Sequence, residues 1–114
     1  MAVESHRGAG ADAVHNLAHR GADVRVEAVG FEQWKPIPAD LVVADPTRRG
    51  LGPVGVDRLA ATGAELAVLV SCDAGSLGRD AALLVDRGYR LGSVTLVDLF
   101  PDTSHVEAVS VFVR

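Results

Sequence analysis

Two short apolar runs constrain this chain more than anything else in it. "DLVVAD" at 40–45 and "ELAVLVS" at 65–71 are continuous stretches rich in Val and Leu. Each stops abruptly, the first at Pro46 and the second at the Gly- and Ser-containing "SCDAGS". Runs this short, with no alternation, predict strands covered on both faces, as in parallel sheets. Between them Val56, Leu59 and Ala60 recur at helical spacing, and Gly63 supplies a stop. Strand, helix, strand in that order predicts a right-handed crossover between parallel neighbours.

The rest of the chain extends the same rhythm. Ala13, Val14, Leu17 and Ala18 share one helical face, with Gly21 as the stop. "VRVEAV" at 24–29 alternates as a strand does. Leu77, Ala81, Leu84 and Val85 form a third helical stripe, closed by Gly88. "RLGSVTLVDLF" and "VEAVSVFVR" read as two final strands, and the short turn-rich "PDTSH" between them predicts an antiparallel pair. The expected architecture is α/β, with a mostly parallel sheet and a C-terminal antiparallel hairpin. "WKPIPAD" is a loop within this pattern and not a domain linker.

Composition agrees and narrows the function. The chain is 48% hydrophobic but only 4% aromatic, so small aliphatic residues do the packing. No apolar run approaches the ~20 residues of a membrane span, and the first residues carry no signal-peptide pattern. A single cysteine precludes an intrachain disulfide and fits a reducing, cytoplasmic setting. The net charge of -4 argues against non-specific nucleic-acid binding, although it leaves room for a local basic groove. No CxxC, HExxH or carboxylate cluster predicts a metal site.

In open α/β sheets, ligands bind beyond the carboxyl ends of the strands. Three polar clusters fall there. In "SCDAGSLGRD" (71–80), Cys72 ends a strand and shortly precedes a helix, whose N-terminal dipole favours the thiolate form. A thiolate is the form that attacks carbon. An inert buried cysteine is the competing reading. In "DPTRRG" (45–50), Asp45 can accept hydrogen bonds from a ligand, Arg48 and Arg49 can hold a phosphate or carboxylate, and Gly50 permits an unusual turn. The competing reading is a surface turn with a solvated arginine pair. In "FPDTSHVEAV" (100–109), Glu107 opens an apolar strand, an expensive place for a charge unless it is paired or useful as a proton acceptor. His105 shares its face if the segment is extended. A thiol phosphatase or hydrolase would need an arginine close behind Cys72, whereas Arg79 falls inside the expected helix.

In this order and spacing, "DPTRRG", "SCDAGSLGRD" and "LFPDTSHVE" resemble the motifs of the S-adenosylmethionine-dependent RNA (uracil-5-)-methyltransferases that act on 23S rRNA and tRNA. Those run roughly "DPPR-G", "SCNP-TLARD" and "MFP-T-HVE". The resemblance covers most of 40–114, and "VESHRGAGADAVHNLA" resembles the stretch that ends the family's second strand and opens the following helix. It implies a Rossmann-like class I methyltransferase fold and S-adenosylmethionine as cofactor. Cys72 would be the nucleophile that adds to C6 of uracil, and Glu107 would remove the C5 proton. Glu4 and Asp45 match cofactor-binding positions, Glu4 through the ribose hydroxyls.

The chain departs from the family pattern in places. Thr47 replaces the second proline, Asp73 puts a negative charge beside Cys72, and Asp102 stands where many relatives carry His. Gly30 or Phe31 stands near a position that usually supplies a polar contact to the adenosine part. No GxGxG loop is present, and the family's first strand would precede Met1. The expectation is therefore that 1–114 is the C-terminal portion of a catalytic domain, a fragment inactive alone, acting on rRNA or tRNA in its full-length form. Strand edges left unpaired would rearrange or drive homo-oligomerisation. A catalytically inactive, methyltransferase-like binding module is the alternative.

Overall fold

The computed structural model describes residues 1–18, 24–99 and 106–114. They form two compact units, Met1–Lys35 and Pro36–Arg114.

In the first unit, β1 (Ala2–Val3) pairs in parallel with β2 (Val26–Glu27), and α1 (Arg7–Ala18) connects their sequence positions. His6 begins the helix: its Nδ1 accepts the Ala9 N–H at 3.2 Å, satisfying one of the free donors of the first turn. Gly10 is the buried residue of α1, and a side chain there would meet Val26. The stripe expected to face a core is only partly covered, and Val14 is 54% exposed. Two strands of two residues offer too little surface to bury a helical face. Phe31 and Trp34 stack with ring centroids 5.6 Å apart. The expected helix stop at Gly21 lies outside the described residues.

The second unit holds a four-stranded sheet of β3 (Leu41–Ala44), β4 (Leu66–Ser71), β5 (Arg90–Val97) and β6 (Glu107–Val113). Their order is β3-β4-β6-β5. The expected parallel pairing holds for β3 and β4, and the expected antiparallel hairpin for β5 and β6. Because β6 inserts between β4 and β5 and runs against both, the sheet is mixed. A bulge at Gly92 shifts the β5–β6 register, where a side chain would crowd the Val111 carbonyl at 3.3 Å.

Helices α2 (Gly52–Ala60) and α3 (Ala74–Asp86) follow β3 and β4. Val56, Leu59 and Leu84 from these helices are fully buried. So are Ala67, Leu69 and Phe112, which share one sheet face through the pairs Ala67↔Phe112 and Leu69↔Ser110. Fully burying a side chain the size of Leu or Phe contributes about 1.5–3 kcal/mol. Both helices end where glycines were expected to stop them. Gly63 and Gly88 have φ of 73° and 89°. At α3 the Gly88 N–H bonds the Val85 carbonyl and the Tyr89 N–H bonds that of Leu84, a Schellman closure. Arg87 Nε then donates to Asp57 Oδ1 at 2.6 Å, linking the end of α3 to the body of α2.

Two expectations are corrected. The strands are not covered on both faces: Leu41 and Val43 of β3 are 50% and 64% exposed, because the helical layer lies on the opposite side. Along the edge strand β5, Leu96 is 70% exposed. The α3 stripe is also rotated from the pattern read in the sequence. Ser76, Asp80 and Leu84 are buried, while Val85 is 54% exposed.

Candidate functional site

Strands β3 and β4 are parallel, so their carboxyl ends lie on one edge of the sheet, and antiparallel β6 begins there. Asp45 follows the last residue of β3 and is exposed. Cys72 follows the last residue of β4, is half-buried and is a free thiol. Glu107 is the first residue of β6 and is half-buried. Ser71↔Ala108 is the last pair of the β4–β6 ladder, so Cys72, a bend residue just beyond β4, and Glu107, the first residue of β6, lie at the same end of that strand pair. Thus Asp45, Cys72 and Glu107 lie at one end of the same sheet, while Glu4 belongs to the other unit. His105 and Asp102 lie outside the described residues.

Glu4 belongs to the first unit, immediately after β1. Its Oε1 accepts the His6 N–H at 2.7 Å, and its own N–H bonds the Glu27 carbonyl. A carboxylate at the end of a parallel strand, with Oε2 making no hydrogen bond among the described residues, suits a pair of ribose hydroxyls.

Asp73 has a local role that its charge alone did not suggest. It is the N-cap of α3, in extended conformation, and its Oδ2 accepts the Ser76 N–H at 2.7 Å. The Ser76 hydroxyl returns a bond to the Asp73 carbonyl at 3.0 Å. The backbone bond from Ser76 holds the Asp73 carboxyl below its ordinary value, with the Ser76 side chain and the charge of Arg79 adding to the effect. Asp73 is therefore an anion committed to capping the helix next to Cys72.

Sequence reasoning passed over Asp80. It sits in the middle of α3, is 2% exposed, and reaches across to the other helix. Its carboxylate accepts the Leu51 N–H at 2.6 Å and the Gly52 N–H at 3.0 Å. These are unpaired donors at the start of α2, whose N-cap, Leu51, has no capping side chain of its own. Asp80 thus caps α2 from a neighbouring helix, where the helix dipole also favours a negative charge. A buried carboxylate without such partners would be strongly destabilising. Gly50 makes the approach possible. Its φ is 76°, and a Cβ there would collide with Asp80 Oδ2 and lie 3.1 Å from Ser76 Cβ. The available signal was an acidic residue inside an otherwise apolar helical stripe.

The loop between β3 and α2 is closed by a turn over 47–50, in which the Gly50 N–H bonds the Thr47 carbonyl at 2.8 Å. Arg48 and Arg49 occupy its two central positions and are exposed. Neither makes an ion pair among the described residues.

The architecture is that of the class I S-adenosylmethionine-dependent methyltransferases. Over 98% of the chain it superimposes with a TM-score of 0.75 on a Thermoplasma acidophilum protein described as a methyltransferase, at 14% identity. The comparison reaches further with the tRNA (uracil-54, C5)-methyltransferase of Pyrococcus abyssi in complex with S-adenosyl-L-homocysteine. There the TM-score is 0.86 at 32% identity, over 97% of this chain and 27% of that one.

Sequence comparison points the same way. The chain is 39% identical over 97% of its length to an uncharacterized RNA methyltransferase of Streptomyces coelicolor, covering 25% of it. It is 33% identical over 100% of its length to the 23S rRNA (uracil(1939)-C(5))-methyltransferase of Histophilus somni, covering 26%. The chain is therefore similar, along nearly its whole length, to part of the RNA uracil-C5 methyltransferases, and it spans about a quarter of the length of the curated relatives it matches. No family model matches it.

Proposed function

We propose that this chain is the C-terminal portion of the catalytic domain of an RNA uracil-C5 methyltransferase, carrying its nucleophile and its base. The observation that carries the reading is the Ser71↔Ala108 register, which leads to Cys72 and Glu107 at one end of one strand pair. Two groups that serve one ring must converge, and their place at a shared end of one strand pair supports that reading for residues distant in the chain.

Uracil C5 is a poor nucleophile, and covalent addition divides one hard step into two. The Cys72 thiolate forms a bond to C6 and leaves C5 electron-rich. S-adenosylmethionine, when bound, supplies the electrophilic methyl group that C5 takes up. The Glu107 carboxylate then accepts the C5 proton; the C5–H electrons restore the double bond and expel the thiolate. Asp45 of the second unit and, separately, Glu4 of the first each follow a parallel strand, and each is a candidate cofactor contact. The RNA is a ribosomal or transfer RNA, and a nucleophilic thiol of this kind works in the reducing cytoplasm. β3 is an edge strand of its sheet, and an unpaired edge supports self-association of the isolated segment.

The test is covalent capture of 5-fluorouridine-containing RNA by the full-length enzyme. Cys72→Ala abolishes it; persistent capture overturns the assignment. The anionic Asp73 beside the thiol favours a second reading, a module that binds without catalysis. Calorimetry decides between them, because a full-length protein that fails to bind S-adenosylmethionine fits only the second.

A further inference from the structure

Asp80, Gly50 and Ser76 meet at a point that the proposed chemistry does not use. The Asp80 carboxylate grips the backbone at Leu51 and Gly52, and Gly50 has no side chain to hold it away. Immediately before Gly50 are the two exposed arginines of the 47–50 turn. On the other side, Ser76 joins the same cluster to Asp73, the neighbour of Cys72. A surface turn bearing two long cationic side chains would ordinarily sample several conformations. Here its C-terminal arm is tied by a buried carboxylate to the helix that follows Cys72.

We propose that Asp80 is a positioning residue for RNA: it locks the 47–50 turn so that Arg48 and Arg49 take a backbone phosphate of the strand carrying the target uridine. This rests on the reading of the chain as part of an RNA methyltransferase. The parallel β3 and β4 put the turn and Cys72 at the same sheet edge, so a phosphate held by the turn belongs to the strand whose base reaches the thiol. Planar guanidinium groups suit phosphate oxygens, and fixing them in advance lowers the ordering cost of binding.

The sign of one substitution separates this from simple electrostatics. Asp80→Asn removes a negative charge, which by charge alone strengthens RNA binding. Positioning predicts the opposite, because the amide's N–H₂ faces backbone donors and releases the turn. The probe is a single-stranded, uridine-containing RNA titrated against the full-length enzyme at several salt concentrations, with folding followed by circular dichroism. Asp80→Asn is expected to weaken binding about threefold to tenfold and to flatten the salt dependence by ~0.7 in slope for each phosphate no longer neutralised. In the Arg48→Gln/Arg49→Gln background the same substitution has no further effect. Amide exchange at Leu51 and Gly52 accelerates in the single variant.

Unchanged or tighter binding by folded Asp80→Asn overturns the inference, as does an equal weakening in the arginine-free background. Should Asp80→Asn fail to fold, the double arginine variant decides alone, since both side chains are exposed; undiminished affinity and slope overturn it. None of these measurements needs Cys72 chemistry. Loss of 5-fluorouridine capture with intact RNA binding therefore judges the nucleophile separately, and a wild-type enzyme that binds no RNA overturns the inference and the RNA reading together.

Discussion

Cys72 and Glu107 stand one step beyond the Ser71↔Ala108 pair, at the end of β4 and the start of β6. If the first opens the reaction on the uracil ring and the second closes it, their variants fail differently. Glu107→Gln keeps a neutral side chain of similar size but cannot accept the C5 proton. In the full-length enzyme with ordinary uridine RNA, it is expected to accumulate the covalent Cys72–RNA species that Cys72→Ala never forms. Denaturing gel electrophoresis reads this directly, and a Glu107→Gln enzyme that turns over normally with no retained adduct removes Glu107 from the role of base.

The glycines before α2 separate steric from conformational cost. Gly50 and Gly52 both have positive φ, 76° and 65°, but only at Gly50 would a side chain meet Asp80. Gly52→Ala therefore loses the conformational term, about 1–2 kcal/mol. Gly50→Ala loses that and adds the collision, and must displace the capping carboxylate. Urea unfolding of the two variants should rank Gly50→Ala clearly lower in stability; equal midpoints would mean that the Asp80 cap is easily given up.

Asp73 predicts a pH dependence of known sign. Its folded-state pKa lies below the ordinary value of 3.8, owing first to the Ser76 N–H. The stabilisation is fully present above the unfolded value and is lost as pH falls from there through the lower folded value. Asp73→Asn retains an N-cap acceptor without the titrating charge. The wild type should lose stability relative to Asp73→Asn only below about pH 4. Thermal melts of the two proteins from neutral pH down to about pH 3 check it, and parallel curves throughout would count against the capping bond as the cause.

Ser110 is fully buried on the helix-facing side of β6, and its hydroxyl has no hydrogen-bond partner among the described residues. Ser110→Ala removes an unsatisfied polar atom and leaves little cavity. It is expected to be neutral or stabilising by roughly 1 kcal/mol in denaturant titration. A marked destabilisation would mean that the hydroxyl has a partner, such as a buried water.

Much was legible because local rules and tertiary structure agreed. The runs at 40–45 and 65–71 became β3 and β4 within a residue of their expected ends. Gly63 and Gly88 ended their helices because only a residue without Cβ takes those φ values cheaply. The α1 and α3 stripes were less faithful. Periodicity reports which residues share a face, but burial depends on what lies opposite: the small two-stranded sheet leaves Val14 exposed, and the α2 terminus draws Asp80 inside.

The order of elements from α1 onward, the clusters at strand ends and, through three motifs together, the kind of enzyme to compare with were all written in the chain itself. Each depends on near neighbours or on residue types in a fixed order. That β6 lies beside β4, bringing Glu107 to the strand end that Cys72 follows, and that a carboxylate of α3 caps α2, emerged only in three dimensions. Both join segments far apart in the chain, selected by the need to pair every buried backbone donor and acceptor, and no local pattern encodes which distant partner will meet it.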